Sequence, residues 1–183
     1  MGNLCYSKNR CGWRTDRKAE GAEILKLYHG SNAEVSYPII RPNLRALDFG
    51  AGFYLTSSEQ QAVKWAKVVA RRRRKGAPQL NIYEFDESGL LMLNVLKFQT
   101  ANAEWLDFVV NNRKELLMVN PYDIVIGPVA NDSTLPVIDD YMDGVYTKEE
   151  AVKRLLPQNL TDQYAFLSEK ALAYLKFKRS EQL

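Results

Sequence analysis

Residues 50–66 read Gly-Ala-Gly-Phe-Tyr-Leu-Thr-Ser-Ser-Glu-Gln-Gln-Ala-Val-Lys-Trp-Ala. Residues 52–56 have the aromatic and β-branched content of a short strand, and two glycines let the chain turn into it. Residues 57–61, Ser-Ser-Glu-Gln-Gln, then supply a capping box, and Ala62, Trp65, Ala66 and Val69 share one face of the helix it opens. The run Arg71 to Lys75 closes that helix, where positive charge is favourable against the macrodipole, and Gly76 and Pro78 end it. A solvated helix end accounts for these cations more plainly than a nucleic-acid patch does.

Upstream, residues 24–28 read as a buried strand that gives way to turn chemistry at His29-Gly30-Ser31, followed by a loop to residue 52. Downstream, residues 80–85 alternate like a half-buried strand, and residues 91–98 read as a second strand paired with it. Trp105, Phe108 and Val109 place a helix over residues 102–114. A β-branched strand follows at 122–129, and helices are expected at 134–142 and 147–156, the latter opened by a capping box at Thr147. Residues 163–167 make a last strand, and a terminal helix from Ser168 turns Ala171, Leu172 and Leu175 inward. Tyr83, Phe85, Trp65 and Trp105 fall on the core faces of these elements. Strands and helices mix without regular βαβ alternation, which predicts an α+β fold. There is no GxGxxG and no GxxxxGK[ST], so a Rossmann site or a P-loop has no support.

The chain has 183 residues, the size of one domain, and its composition is too apolar and aromatic for disorder. We expect a polar arm over residues 1–25 and one domain over 26–183. No apolar run approaches the length that spans a bilayer, and no apolar core follows the basic start. A cytoplasmic address is therefore the default. The Met1-Gly2 opening lacks the hydroxyl residue that myristoylation needs, since Tyr6 stands there. Cys5 and Cys11 read as free thiols, and with one histidine in the chain no four-ligand zinc cluster, and no metal site, is expected. Lys and Arg exceed Asp and Glu by 25 to 22, and five of those cations lie in residues 71–75. The charge balance argues against a general nucleic-acid binder.

His29 sits where an apolar strand meets a glycine, a place where a ring nitrogen can donate while the adjoining backbone approaches a planar ligand. Alone, a histidine there is more often a structural hydrogen-bonder. Tyr54 offers a stacking face for a flat ring. Arg41 and Arg45 lie in the intervening loop, where a pyrophosphate would meet them or solvent would. Asn131 and Asp132 follow the Gly127-Pro128 strand end, and capping of the next helix by Asp132 or Ser133 is the plain explanation.

Taken together, Tyr-His-Gly-Ser at 28–31, Gly-Phe-Tyr-Leu-Thr at 52–56 and the Gln-Ala-x-x-Trp-Ala helix at 61–66 resemble the NAD-binding half of ADP-ribosyltransferases with a His-Tyr signature. Diphtheria toxin and the poly(ADP-ribose) polymerases share that branch. Residues 122–132 and 162–172 resemble, more closely, a bacterial family of ADP-ribosyltransferase-like domains found beside small antitoxin-like genes. The resemblance covers roughly residues 26–178.

It implies a split, strongly bent mixed β-core that holds NAD as co-substrate in a cleft. By motif, His29 would bond the NAD ribose, the backbone of Gly30 would pin the nicotinamide carboxamide, and Tyr54 would stack on the nicotinamide ring. Ser31, Asn131 and Asp132 would border the same site. Gln163 stands where most members of the superfamily carry an acid that bonds the 2′-hydroxyl of the nicotinamide ribose. An amide accepts that bond but adds no charge to stabilise an oxocarbenium-like state. Positioning would then carry more of the catalysis, or a carboxylate nearby (Asp132, Asp162 or Glu169) would help. The implied activity is mono-ADP-ribosylation of a macromolecular acceptor by the toxin of a toxin and antitoxin pair, with an antitoxin protein as a further partner. The rival readings are an inactive NAD or ADP-ribose-binding or protein-interaction module, and an NAD glycohydrolase.

Overall fold

A computed structural model describes residues 23–40, 47–114, 120–130, 133–158 and 160–183. Its strands are β1 (Ile24–Ser31), β2 (Phe53–Leu55), β3 (Gln79–Asp86), β4 (Val95–Lys97), β5 (Ile124–Pro128), β6 (Asp162–Phe166) and β7 (Leu175–Gln182). Its helices are α1 (Glu59–Arg73), α2 (Gly89–Met92), α3 (Ala103–Arg113), α4 (Leu135–Met142), α5 (Lys148–Leu155) and α6 (Glu169–Leu172). Two sheets form, ordered β1-β3-β7 and β2-β6-β5-β4, antiparallel throughout except for the parallel pair β4 and β5. The fold is α+β.

The residue pattern dictates the layering. In the first sheet Leu27, Tyr83 and Phe85 face Phe53, Leu55, Ile124, Ile126 and Phe166 of the second, so the two sheets share one apolar interior. The opposite face of the second sheet carries Val125 and Ala165, which pack against Trp105, Leu106, Val109, Ile138 and Leu155 from α3, α4 and α5. The opposite face of the first sheet lies under α1, whose Ala62 meets Leu80 and Ile82. β5 is buried at all five residues because it has a neighbour on each side and a packed layer on each face.

Several helix ends follow the sequence signals. Ser58, Asn102 and Thr147 each accept a hydrogen bond from a backbone N–H three residues on. Arg74 takes a left-handed conformation at the end of α1, φ 49°. No helix among the described residues is long and apolar enough to cross a membrane.

Four expectations are corrected. Residues 29–31 extend β1 rather than turning, because His29, Gly30 and Ser31 stay paired with Asn81, Leu80 and Gln79. Residues 91 and 92 belong to the short helix α2, and the strand after it, β4, pairs with β5 in the other sheet rather than with β3. The terminal helix stops at Leu172, and Leu175 begins β7, an edge strand on β3 whose exposed polar residues hide its alternation. Trp65 is 46% exposed, with the Arg72 guanidinium 5.5 Å from its ring centroid, whereas Trp105, Tyr83 and Phe85 are fully buried. The polar arm, its cysteines, Arg41 and Arg45 lie outside the described residues, apart from the last few residues of the arm, where β1 begins at Ile24.

Candidate functional site

Among the described residues one backbone bridge joins the two sheets, where Tyr28 and Thr56 exchange both backbone hydrogen bonds (2.9 and 3.0 Å). Tyr28 therefore spends its N–H and C=O away from β3, so Tyr28 and Ile82 form a pair of the non-hydrogen-bonded type. By the two-residue period the same holds for Gly30 and Leu80, and the N–H and C=O of Gly30 point out along the edge that Tyr28 uses. A continued ladder would bring the Gly30 N–H to the Tyr54 carbonyl. That carbonyl instead accepts a hydrogen bond from His29 Nδ1, 2.8 Å away. The imidazole thus stands in for the next rung, and beyond it β1 and β2 do not pair among the described residues.

The His29 ring packs at 4.6 Å between centroids on Phe53, facing the interior between the sheets. Burial lowers its pKa below the usual 6.5, opposed by the Tyr54 carbonyl and reinforced by the Arg73 charge. The ring is then neutral at pH 7 with its proton on Nδ1, because a carbonyl only accepts. Its Nε2 is left as an acceptor, suited to a hydroxyl donor.

Gly30 serves two neighbours. A Cβ there would lie 2.1 Å from the Ala62 carbonyl oxygen and 2.7 Å from the Ala66 nitrogen, so its Cα–H side is occupied by the backbone of α1. The close approach expected for a planar ligand is thus made by a helix. Gly30 is itself buried, so any contact with a ligand would be confined to its strand-edge N–H and C=O. Ser31 is 7% exposed and pairs with Gln79.

Tyr54 lies opposite Ala165 in β6, and its side chain shares the face that packs on α3 to α5. Gln163, two residues from Ala165, is its diagonal neighbour on that face. The Tyr54 hydroxyl donates to the Gly50 carbonyl at 2.6 Å and accepts from the Phe49 N–H at 3.2 Å. Burial raises the phenol pKa far above its ordinary value. With the hydroxyl tied at both valences, the group is a fixed platform rather than an acid or base. Phenol and carboxamide therefore come together by side chain, while the imidazole reaches Tyr54 through its main chain.

Gln163 sits in the middle of the second sheet, opposite Gly127 of β5, and is 7% exposed. It is not on an edge strand. Its Nε2 is buried without a hydrogen-bond partner, a condition that costs about 1–3 kcal/mol when nothing offsets it. Gln61 Oε1 in α1 is the other buried side-chain atom without a partner among the described residues.

The two described carboxylates proposed to assist it are bonded or placed elsewhere. Asp162 Oδ1 accepts from the Ser57 N–H (2.9 Å) and the Thr56 hydroxyl (3.1 Å), and Oδ2 accepts from the Ser57 hydroxyl (2.6 Å). That carboxylate fastens the start of β6 to the β2–α1 junction. Glu169 is exposed in the first turn of α6, beyond the far end of β6. Asn131 and Asp132 lie outside the described residues. Ser133 donates to Gln158 Oε1 at 2.6 Å, and the residue preceding α4 is Thr134, so Ser133 is not the cap.

Sequence reasoning missed two features. The Asp162 clamp carried no motif, because its partners are 105 and 106 residues away. The dual use of Gly30 required knowing that α1 crosses β1. Concavities of about 410 Å3, lined by Ala103, Lys148, Val152 and Leu156, and of about 440 Å3, lined by Ile24, Glu84 and Tyr174, lie elsewhere and touch none of His29, Tyr54 and Gln163.

No curated protein and no solved structure matches this chain. A family model described as a protein of unknown function, DUF3990, matches residues 25–177, from the second residue of β1 into β7. The match takes in both sheets, the bridge between them and His29, Tyr54 and Gln163, and the chain belongs to the DUF3990 family.

Proposed function

We propose that this chain is an NAD-dependent mono-ADP-ribosyltransferase that moves ADP-ribose from NAD to a macromolecular acceptor and releases nicotinamide, acting as the toxin of a toxin and antitoxin pair. The observation that carries the reading is the break in the ladder at His29, where the ring takes the Tyr54 carbonyl that a continued ladder would pair with the Gly30 N–H. A carboxamide presents one acceptor and one donor side by side, which the N–H and C=O of Gly30 complement.

The remaining groups divide the work. The neutral imidazole accepts from a ribose hydroxyl through Nε2, the fixed ring of Tyr54 stacks on the nicotinamide, and Gln163 meets the ribose 2′-hydroxyl. The bond between ribose C1′ and the nicotinamide nitrogen breaks with its electron pair leaving on nicotinamide. The acceptor's lone pair forms the new bond to C1′ and its proton is lost. Gln163 supplies alignment and a dipole but no countercharge, so catalysis leans on positioning.

The test is to incubate the purified full chain with NAD and cell extract, following nicotinamide release and ADP-ribosylated products. Release coupled to labelled macromolecules is expected; no release together with no NAD binding overturns the proposal. One observation favours a second reading. Gln163 carries no charge, which suits a module that binds NAD or an ADP-ribosyl group without turning it over. Tight NAD binding without nicotinamide release would establish that reading, and free ADP-ribose as the sole product would mean glycohydrolysis.

A further inference from the structure

The whole-chain charge of +3 conceals how the cations of α1 are arranged. Seven of the chain's 25 Lys and Arg residues fall between Lys64 and Lys75, and no carboxylate does, which leaves 18 cations against 22 carboxylates elsewhere. The molecule is polarised rather than mildly basic. At 100° per residue Lys64, Lys67 and Arg71 make one exposed stripe along the helix, about 10 Å long, with the exposed Arg74 just past its end, and Trp65 and Arg72 lie about 80–100° around the helix from Lys64. Among the described residues none of the seven cations forms an ion pair.

The macrodipole does not explain the stripe. Its influence ends within the last turn, whereas Lys64 and Lys67 lie two to three turns upstream, and like charges three and four residues apart destabilise a helix. The cationic end is also held in place. Asn32 accepts from Arg73 Nη1 and donates to the Lys75 carbonyl, each at 2.8 Å. Gly76, at φ +73°, turns so close to the Asn32 carbonyl that a Cβ would lie 2.1 Å from it. Asn32 follows β1 directly, so this end of α1 stands beside the His29–Gly30 edge.

We propose that the exposed face of α1 binds single-stranded nucleic acid, with phosphates along Lys64, Lys67, Arg71 and Arg74 and a base stacked on Trp65 where Arg72 now covers the ring. The aromatic ring selects this partner over other polyanions. A half-exposed indole about a quarter-turn around the helix from the cationic row gives unpaired bases a surface that carboxylate side chains cannot use. RNA and DNA share this chemistry. The inference does not need the NAD reading, but where both hold it names the acceptor class.

The experiment measures fluorescence anisotropy of labelled 20-mers of oligo(dT) and oligo(U), and of a duplex, against the full chain without NAD, so its failure is separable from failure of the transferase proposal. Single-strand binding is expected to weaken with salt at a slope of about −3 in log K against log salt, as four or so phosphate contacts require. The triple variant K64E/K67E/R71E should lose at least a hundredfold in affinity. Trp65→Ala should lose on the order of tenfold with the salt slope unchanged. The control K97E/K114E/K153E alters three exposed cations elsewhere by the same charge and should bind as the parent does. The ratio of oligo(U) to oligo(dT) affinity identifies RNA or DNA. Salt-independent binding or none, equal loss in the control, tighter binding to duplex, or equal affinity for polyglutamate each overturns the proposal.

Discussion

Replacing Gly30 by alanine separates the two uses of that residue. The added carbon would stand 2.1 Å from the Ala62 oxygen and 2.7 Å from the Ala66 nitrogen, where ordinary contact begins near 3.4 Å. Helix α1 or strand β1 must therefore move by about 1.3 Å, and both neighbours are backbone, so no side-chain rotation relieves the clash. Overpacking of this kind costs about 1–3 kcal/mol, with main-chain movement at the upper end. The stiffer unfolded chain offsets ~0.4–1 kcal/mol of it. A net loss of about 2 kcal/mol lowers the melting temperature of a chain this long by roughly 4–8 °C. Thermal unfolding followed by circular dichroism without ligand reads this directly. The double variant G30A/A62G should melt no higher than G30A, because the colliding Ala62 atom is its carbonyl oxygen. A melting temperature within 1 °C of the parent, or rescue by A62G, would refute the packing argument and leave Gly30 as a ligand contact only.

Gln163→Leu removes the orphaned amide while keeping most of its volume, so stability should rise by about 1 kcal/mol in denaturant titration while nicotinamide release disappears. Unchanged turnover would remove Gln163 from the site. Tyr54→Phe strands the Phe49 N–H and the Gly50 carbonyl, and a loss of about 1–3 kcal/mol in the same titration is expected, with NAD affinity largely kept because the ring remains. For His29 the sign follows from its lowered pKa. The unfolded chain binds a proton near pH 6.5 that the folded chain resists, so its contribution is complete above that value and is lost as pH falls through the folded pKa. Melting temperatures from pH 7.5 to 5 should fall in the parent and flatten in His29→Gln, a clean comparison in a chain with one histidine. His29→Ala frees the Tyr54 carbonyl for the Gly30 N–H; amide exchange at Gly30 should slow and NAD binding should weaken, and fast exchange in the variant would contradict the missing-rung geometry.

The parts of the fold legible in the sequence are those whose signals are local. Capping at Ser58 and Thr147 depends on a side chain three residues from its partner, and the periodicity of α3 and the β-branched run of β5 are equally self-contained. β7 was not legible because its residues, Leu-Lys-Phe-Lys-Arg-Ser-Glu-Gln, alternate only weakly, and its strand character comes from pairing with β3 some 100 residues earlier. The same distance concealed the separation of β3 and β4 into different sheets. Trp65 read as core because its spacing matched Ala62 and Ala66, but with Gly30 beneath them those alanines let α1 lie so close to β1 that there is no room on that face for an indole. At the site, residue types flagged His29, Tyr54 and Gln163, whereas their relation, a ring replacing one rung of a ladder, exists only in three dimensions.

That relation bears on why an amide can stand at position 163. A carboxylate in the same place would be buried, since Gln163 is 7% exposed, shares its face with Tyr54 and Ala165 and lies opposite Gly127. Desolvation would raise the pKa of such an acid and favour its neutral form, so the countercharge it is meant to supply would be diminished in the absence of a bound cation. An amide needs no cation and keeps its acceptor at every pH. The arrangement thus favours geometry over charge, and Gln163→Glu should show it. The acid should lower stability above its raised pKa, and nicotinamide release by the variant should decline as pH falls through that pKa, a dependence the parent lacks at this residue.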